Sequence, residues 1–503
     1  MPRRYVTTAI PYVNSKPHLG FAMELVQTDV MARHWRHRGD EVRFLTGTDD
    51  NSLKNAIAAA AEGVPTREFV DRNAAAFEGL REPLQISFDD FIRTSADPRH
   101  EAGVDRLWRA ADARGDLYRK DFQGLYCVGC EQFYTEDELV DGNCLEHFTP
   151  PTPVSEENWF FKLSRYEDQL RELIESGRLR IEPESRRNEV LGFIRTGLQD
   201  FSISRSTERA RGWGIEVPGD PGQVVYVWWD ALGNYITALD YGADGESYRH
   251  WWVESDERTH VIGKGIIRFH AVYWPAMLLS AGQPLPTTIF VHDYLTVEGR
   301  KLGKSLGNAI DPVAIVEDYG VDALRWWLVR DVPRVGDADF TTERLLARYH
   351  EDLANGLGNL ANRTVSMVHK YRGGAVPPLP PLPDIPLTAA ISAVPAAVDA
   401  AMARFDFRTA TAAIWKIVEE ANRHVGEVQP WTLAKAEKAG DREAGQRLSD
   451  VLALLIHASR VVADELTPFL PAAARRVAAQ LGDGRPRLGE PTPLFPRLEA
   501  KEN

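Results

Sequence analysis

A chain of 503 residues is well beyond a single domain of roughly 100–200 residues, so about three to four domains with real cores are expected and a small disulfide scaffold is excluded. Hydrophobic residues make up 44% and charged residues 26%, a balance too apolar for a disordered chain. With 59 basic against 73 acidic side chains the formal net charge is −14, which argues against indiscriminate coating of nucleic acid or adhesion to membranes while leaving room for a local basic groove.

Met1-Pro2-Arg3-Arg4 runs directly into Tyr5 without an apolar leader, and no stretch approaches ~20 residues free of charge or proline. A cytoplasmic protein with no membrane partner is therefore expected. Residues 5–10 read as a strand, 11–17 as a turn, and Leu19–His37 as a helix with Met23, Val26, Val30 and Met31 near helical spacing, stopped at Gly39. Glu41–Thr48 reads as a second strand. This β-α-β unit predicts a parallel, right-handed, doubly wound sheet, in which ligands bind at the carboxyl ends of strands. His18 opens the helix and Asp49 closes the second strand, which puts both on that rim.

From about 118 to 222 the pattern changes to short strands, Gly and Pro turns and a cysteine cluster, read as an insertion rather than another βα unit. The alternation then resumes with strand-like runs at 224–228, 260–263 and Thr288–His292, and with helical runs at 231–239 and 266–279 between them. The nucleotide fold is thus split. Asp311-Pro312 has the character of an N-cap and first helical residue, and Val321–Arg330 continues in helical register. From 345 to 479 the pattern is helical apart from a Pro-rich extended connector at 373–383. The expected divisions are 1–117, 118–222, 223–292, 293–344 and 345–503.

Three elements could carry chemistry. Cys127-Val128-Gly129-Cys130 and Cys144-Leu145-Glu146-His147 form two knuckle halves that use every cysteine in the chain, supply four tetrahedral ligands for one structural zinc ion and leave no open position for zinc catalysis. Three unrelated buried thiols and a surface histidine would be the plain alternative. Pro17-His18-Leu19-Gly20 offers an imidazole, a glycine for close backbone approach and a helix N-terminus, the parts of a phosphate site. Taken alone, such a histidine is more often a cap. Lys301-Leu302-Gly303-Lys304-Ser305 follows the 288–292 strand and could clamp a triphosphate, or could be a solvated basic loop.

These elements in this order resemble a class I aminoacyl-tRNA synthetase, and more narrowly the methionine-specific bacterial family with a single zinc knuckle. The resemblance runs from Tyr5 to about Lys435 and includes 214–221 and 268–277. It implies a Rossmann-like α/β catalytic domain split by the knuckle insert, a loop and stem-contact region at 293–344, and an all-α anticodon-binding bundle from 345. It implies ATP contacts at His18, Gly20, Lys264, Lys301, Lys304 and Ser305. A methionine pocket falls on Ile10, Tyr12, Asp49, Trp228, Ala231, Leu232, Tyr235, Ile266, Phe269 and His270, where apolar and aromatic walls suit an unbranched thioether and Asp49 can pair with the α-ammonium group. Asn359 and Arg363, four apart on a predicted helix, and Trp431 match the residues that read the anticodon by hydrogen bonding and stacking. A core tryptophan and a surface arginine are the bland counterpart.

Several positions depart from the family. Phe21 replaces the second histidine of the HIGH element, and the KMSKS loop keeps Lys301 and Lys304 but has Gly303. Asp50-Asn51-Ser52 follows Asp49 where an acidic or small residue and His-Gly are usual. Gly265 replaces a carboxylate that would meet the ATP ribose. The expected function is methionine–tRNA ligase, with methionine, Mg-bound ATP and methionine tRNA as substrates and a monomeric enzyme as the working unit. Two alternatives stay open: a paralogue that adenylates an amino acid for a small-molecule acceptor, and a catalytically weak tRNA-binding protein.

Overall fold

The computed structural model describes residues 1–129, 132–144, 148–302 and 308–501, with the side chains of Phe122, Gln132 and Lys301 outside that description. The chain divides into two compact units, one of residues 1–24, 39–81 and 87–292 and the other of residues 25–38, 82–86 and 293–503.

The first unit begins with β1 (Arg3–Thr8), the start of α1 (Leu19–His37) and β2 (Glu41–Thr48). It continues through α2 (Leu53–Glu62), α3 (Thr66–Glu78), α4 (Arg81–Leu84, where the division falls), β3 (Asp90–Arg93) and α5 (Pro98–Ala113). The insert region holds β4 (Leu117–Cys127), β5 (Gln132–Tyr134), β6 (Thr152–Phe161), α6 (Glu167–Glu175), β7 (Arg180–Glu182), α7 (Glu184–Arg195), β8 (Phe201–Ser202), β9 (Ser204–Ser206), β10 (Glu216–Val217) and β11 (Asp220–Val225). Then come α8 (Val227–Thr237), α9 (Glu246–Tyr248), β12 (Glu257–Gly263), α10 (Trp274–Ser280) and β13 (Thr288–His292).

Six strands form one parallel sheet in the order β3-β2-β1-β12-β13-β7. The order reverses direction from β1, so the doubly wound reading holds, and the carboxyl ends of β1, β2, β12 and β13 form one rim. Central strands of such a sheet are covered on both faces, as the fully buried run Ile289, Phe290 and Val291 of β13 illustrates.

Two expectations are corrected. The insert does contain a βα unit: β7 joins the edge of the parallel sheet through Arg180↔Thr288, Ile181↔Ile289 and Glu182↔Phe290. With one apolar residue between two charged ones, this strand carries no period that a sequence pattern can reveal. The run at 224–228 is not a strand of the parallel sheet. Its first residues end β11, which pairs antiparallel with β9 and β10, and Trp228 already lies in α8. Every residue of α8 is buried, so its sequence has no polar face to betray a helix. The rest of the insert is a four-stranded antiparallel sheet, β5-β4-β6-β8, dominated by the long β4–β6 ladder from Leu117↔Phe161 to Tyr126↔Thr152.

In the second unit β14 (Leu295–Val297) pairs antiparallel with β15 (Arg300–Lys301) and parallel with β16 (Ala338–Asp339). The helices are α11 (Pro312–Tyr319), α12 (Val321–Arg330), α13 (Thr342–Arg348), α14 (Asn359–Arg372), α15 (Pro386–Met402), α16 (Phe407–Val428), α17 (Pro430–Lys438), α18 (Arg442–Glu465) and α19 (Pro471–Gln480). Asp311 caps α11 by accepting from Val313 N at 2.8 Å, with Pro312 in the first turn. Arg325 on α12 is fully buried. It donates to Asp29 Oδ2 at 2.8 Å and to the carbonyls of Leu84, Pro468 and Phe469. A buried guanidinium with this many acceptors ties the segment to its surroundings, and removing one partner of such a pair typically costs about 3–5 kcal/mol. Among the described residues, no helix is long and apolar enough to cross a membrane.

Candidate active site

The residues matched to the amino-acid pocket converge at the rim of the first unit. Ile10 and Tyr12 follow β1, Asp49 follows β2, and Ile266, Phe269 and His270 follow β12. On α8, Trp228, Ala231, Leu232 and Tyr235 are spaced three, four and seven apart, so they share one face. The rings of Trp228 and Phe269 stack with centroids 3.6 Å apart and planes within 5°. Tyr12 meets Trp228 edge-on at 6.5 Å and His270 does so at 6.4 Å. These are aromatic contacts between different elements, so the wall is held from both sides.

Hydrogen bonding fixes the protons of the pocket floor. His270 Nδ1 lies 2.9 Å from the carbonyl of Ile266, which can only accept, so Nδ1 carries the ring proton. His270 Nε2 then accepts from the Tyr235 hydroxyl at 2.7 Å. Behind them Trp274 Nε1 donates to His260 Nε2 at 3.1 Å, which leaves His260 Nδ1 to donate to Thr7 Oγ1 at 2.8 Å. Burial pushes His270 down to about 4 and His260 well below its ordinary value, and burial also raises Tyr235. The floor is therefore neutral near pH 7. Trp228 Nε1 is buried and has no hydrogen-bond partner among the described residues.

Asp49 is buried at the end of β2 and extends the sheet pairing by one step: its N–H donates to Pro11 O at 2.9 Å, and it bridges to Tyr12. The loop behind it is cross-braced. Asn55 Nδ2 donates to the carbonyls of Asp49 and Asp50, and Trp213 Nε1 donates to Asp50 O at 2.8 Å. The Asp50 carboxylate accepts from Thr48, Ser95 and Arg93, while burial raises its pKa above the ordinary carboxylate value.

At the start of α1, His18 Nδ1 accepts from Gly20 N at 3.1 Å. The neutral ring then carries its proton on Nε2. A Cβ on Gly20 would meet His18 Cε1 at 2.9 Å, so glycine is what lets the imidazole lie over the helix start. Phe21 is buried and packs edge-on against Phe77, centroids 5.3 Å apart. Lys264 and Gly265 form a tight turn after β12. Lys301 lies in β15 with its side chain undescribed, and Gly303, Lys304 and Ser305 lie outside the described residues.

Residues 4–149 and 138–365 match the family of class I tRNA synthetases (M). The methionine–tRNA ligase of Caldanaerobacter subterraneus subsp. tengcongensis is 42% identical over 95% of this chain and 74% of its own length. That of Mycobacterium bovis is 42% identical over 98% of each. The structure of Mycobacterium tuberculosis methionyl-tRNA synthetase in complex with methionyl-adenylate superimposes with a TM-score of 0.93 at 42% identity, covering 99% of this chain and 100% of that one. Its free-state structure gives 0.87 at 38% identity.

The chain belongs to the methionyl-tRNA synthetase family. Two of the four matched knuckle residues, Cys130 and His147, lie outside the described residues. The other two, Cys127 and Cys144, are buried thiols, with Cys144 Sγ 3.5 Å from the Tyr134 hydroxyl. The Phe148 N–H donates to Cys144 O at 2.8 Å. Two buried free thiols have the donor chemistry that a tetrahedral thiolate site uses, and among the described residues no three potential ligands come together. In the helical unit, Asn359 is exposed and Arg363 half-buried, one turn apart on α14, and Trp431 on α17 is 45% exposed, which disposes of a core role for that tryptophan.

Other buried polar residues gather near this rim without a motif in the sequence to mark them. Glu24 on α1 is buried, accepts from Ala9 N at 2.8 Å and meets His292 Nε2 at 2.8 Å, tying β1, α1 and β13 together at the rim. Asp230, His100 and His260 are fully buried. The one available signal was Asp230 itself, a carboxylate inside an otherwise apolar helix, which is seldom found without a partner.

Proposed function

We propose that this chain, a methionine–tRNA ligase by family, uses the rim pocket to bind methionine and activates it with ATP. The observation that carries the reading is the neutral, aromatic pocket floor, with Tyr235 donating to His270 beneath the Trp228–Phe269 stack. An uncharged floor and polarisable walls suit a thioether better than a charged or strongly polar side chain. Ile10, Tyr12, Ala231, Leu232 and Ile266 would line the side chain, and Asp49 would pair with the α-ammonium group.

The methionine carboxylate attacks the α-phosphorus of Mg-bound ATP in line, forming the adenylate and releasing pyrophosphate. A ribose hydroxyl of the tRNA 3′ end then attacks the carbonyl carbon, and AMP leaves. The Nε2–H of His18 and the α1 N-terminus at Gly20 would meet the phosphates, with Lys264, Lys301, Lys304 and Ser305 supplying charge and donors. Asn359, Arg363 and the exposed Trp431 would read the anticodon. That exposure favours a tRNA acceptor over a small molecule.

Cys127, Cys130, Cys144 and His147 would hold one structural zinc ion, whose binding energy stabilises the knuckle. The divisions at 117, 222, 292 and 344 are retained as domain boundaries, with a cytoplasmic monomer as the working unit. The test is charging of total bacterial tRNA with labelled methionine alongside methionine-dependent ATP–pyrophosphate exchange. Charging of methionine tRNAs is expected. Exchange without charging would overturn the tRNA acceptor, and absence of both would overturn the activity.

A further inference from the structure

Asn51 stands two residues beyond Asp49, where the resemblance implies a histidine. It is 9% exposed. Its Nδ2 donates to Asp230 Oδ2 at 2.8 Å and to Thr94 O at 3.2 Å. Both partners only accept, so the amide orientation is set by chemistry. Its own N–H donates to Asp49 Oδ1 at 3.3 Å. One residue therefore touches the carboxylate proposed to hold the ammonium group and, through its side chain, the helix that carries the pocket wall.

Asp230 is fully buried and lies on α8 between Trp228 and Ala231. Its Oδ1 accepts from His100 Nε2, and His100 Nδ1 meets Thr237 Oγ1 at 2.7 Å. Both oxygens of Asp230 are thus engaged, one towards α5 and one towards the Asp49 loop. Because α8 is apolar apart from this carboxylate and a few short polar side chains, Asn51–Asp230 is a charge-assisted tie in a setting where such bonds are strong. Thr94, whose carbonyl accepts from Asn51, also accepts from Asp50 N at its Oγ1 at 2.9 Å, and this closes the brace on the loop side.

We propose that Asn51 is a positioning residue: the Asn51–Asp230 hydrogen bond sets the spacing between Asp49 and the thioether walls on α8, and hence the affinity for methionine. This rests on the rim pocket being the methionine site. An amide suits the role because it donates twice without titrating. Neutral histidine has one ring donor, so this chain's Asn51 braces Asp230 and Thr94 together.

The test is steady-state ATP–pyrophosphate exchange with methionine and ATP varied separately. Asn51→Ala should raise the methionine KM about tenfold, the scale of one hydrogen bond to a charged group, with kcat and the KM for ATP changed less than about threefold. A merely structural loss would instead lower kcat and the urea midpoint together. Asp230→Asn should raise the methionine KM similarly, because two amide donors then face each other. The double variant Asn51→Asp/Asp230→Asn reverses the polarity of the bond and should recover at least about fivefold of the loss. Should Asn51→Ala not fold, Asn51→His retains a donor and is expected to keep the KM within about threefold of wild type. Wild-type exchange with an unchanged KM in Asn51→Ala, or a double variant no better than the worse single one, overturns the inference alone. A wild-type protein without methionine-dependent exchange overturns the functional reading beneath it.

Discussion

The proposed amino-acid pocket and the phosphate-facing elements share one rim but are built by different means. The pocket is side-chain architecture: stacked rings, a hydroxyl–imidazole pair with its protons fixed, and a carboxylate at a strand end, nearly all buried. The phosphate-facing element at α1 is mostly backbone: a helix start, a glycine that admits an imidazole, and a tight turn at Lys264 and Gly265. Packing ties a residue's identity to all its neighbours, whereas a main-chain N–H contributes whatever side chain it bears. This gives a physical reason for the resemblance to be nearly intact in the pocket while Phe21 and Gly265 stand where it implies a histidine and a carboxylate. Phe21 has joined the interior through Phe77.

The sharpest test of the pocket side is Asp49→Ala. Truncating one member of a buried charge pair costs roughly 2–5 kcal/mol, so kcat/KM for methionine in exchange should fall by at least about 30-fold, with the KM for ATP nearly unchanged. On the phosphate side the vulnerable position is Gly20. Gly20→Ala forces the His18 ring aside, and the exchange kcat should fall about tenfold, less than the 10²–10³ of losing a preorganised donor outright because the helix N-terminus stays, while the methionine KM stays put. If the methionine KM moves as much as kcat, the two regions are not separable.

Phe21→His runs the other way. Returning an imidazole should raise the exchange rate about tenfold, less than the 10²–10³ lost when a well-placed donor is removed elsewhere, because the new ring must first leave the Phe77 contact. The edge-on aromatic pair lost in the process is worth about 1 kcal/mol, visible as a lower urea midpoint. An unchanged rate would mean that the site works with a different geometry.

The pocket floor also makes stability depend on pH. His270 falls from 6.5 in the unfolded chain to about 4 in the fold, so between these values the unfolded state binds a proton that the folded state refuses. The corresponding stability, about 3 kcal/mol, is fully present above pH 6.5 and lost as pH falls to 4. His260, shifted the same way, adds to the slope. Urea midpoints at pH 7, 5.5 and 4.5 should decline, and His270→Gln should flatten part of the decline. An identical slope in that variant would count against a buried neutral imidazole.

Much of this was legible in the residues. Leu19–His37, Glu41–Thr48, Thr288–His292 and Val321–Arg330 were readable end to end, because each has a clear period or apolar run bounded by glycine, proline or charge. β7 was not, since Arg180-Ile181-Glu182 offers a single apolar residue, and α8 was misjudged at Trp228 because a helix buried all round has no amphipathic rhythm. In the site, the motif residues were legible through the family pattern. The brace from Asn51 through Asp230 to His100 was not, because its members are far apart in sequence and meet only when the sheet and α5 are assembled.

The fixed protons of the pocket floor have a consequence for substrate choice. With Tyr235 committed to His270, and both imidazoles neutral, the floor has neither a charge nor a mobile proton to distinguish one chalcogen from its heavier neighbour. What remains is contour and polarisability. Selenomethionine should therefore be activated about as well as methionine, whereas an amino acid branched at its β-carbon, however similar in bulk, should be turned away by the stacked wall of Trp228 and Phe269.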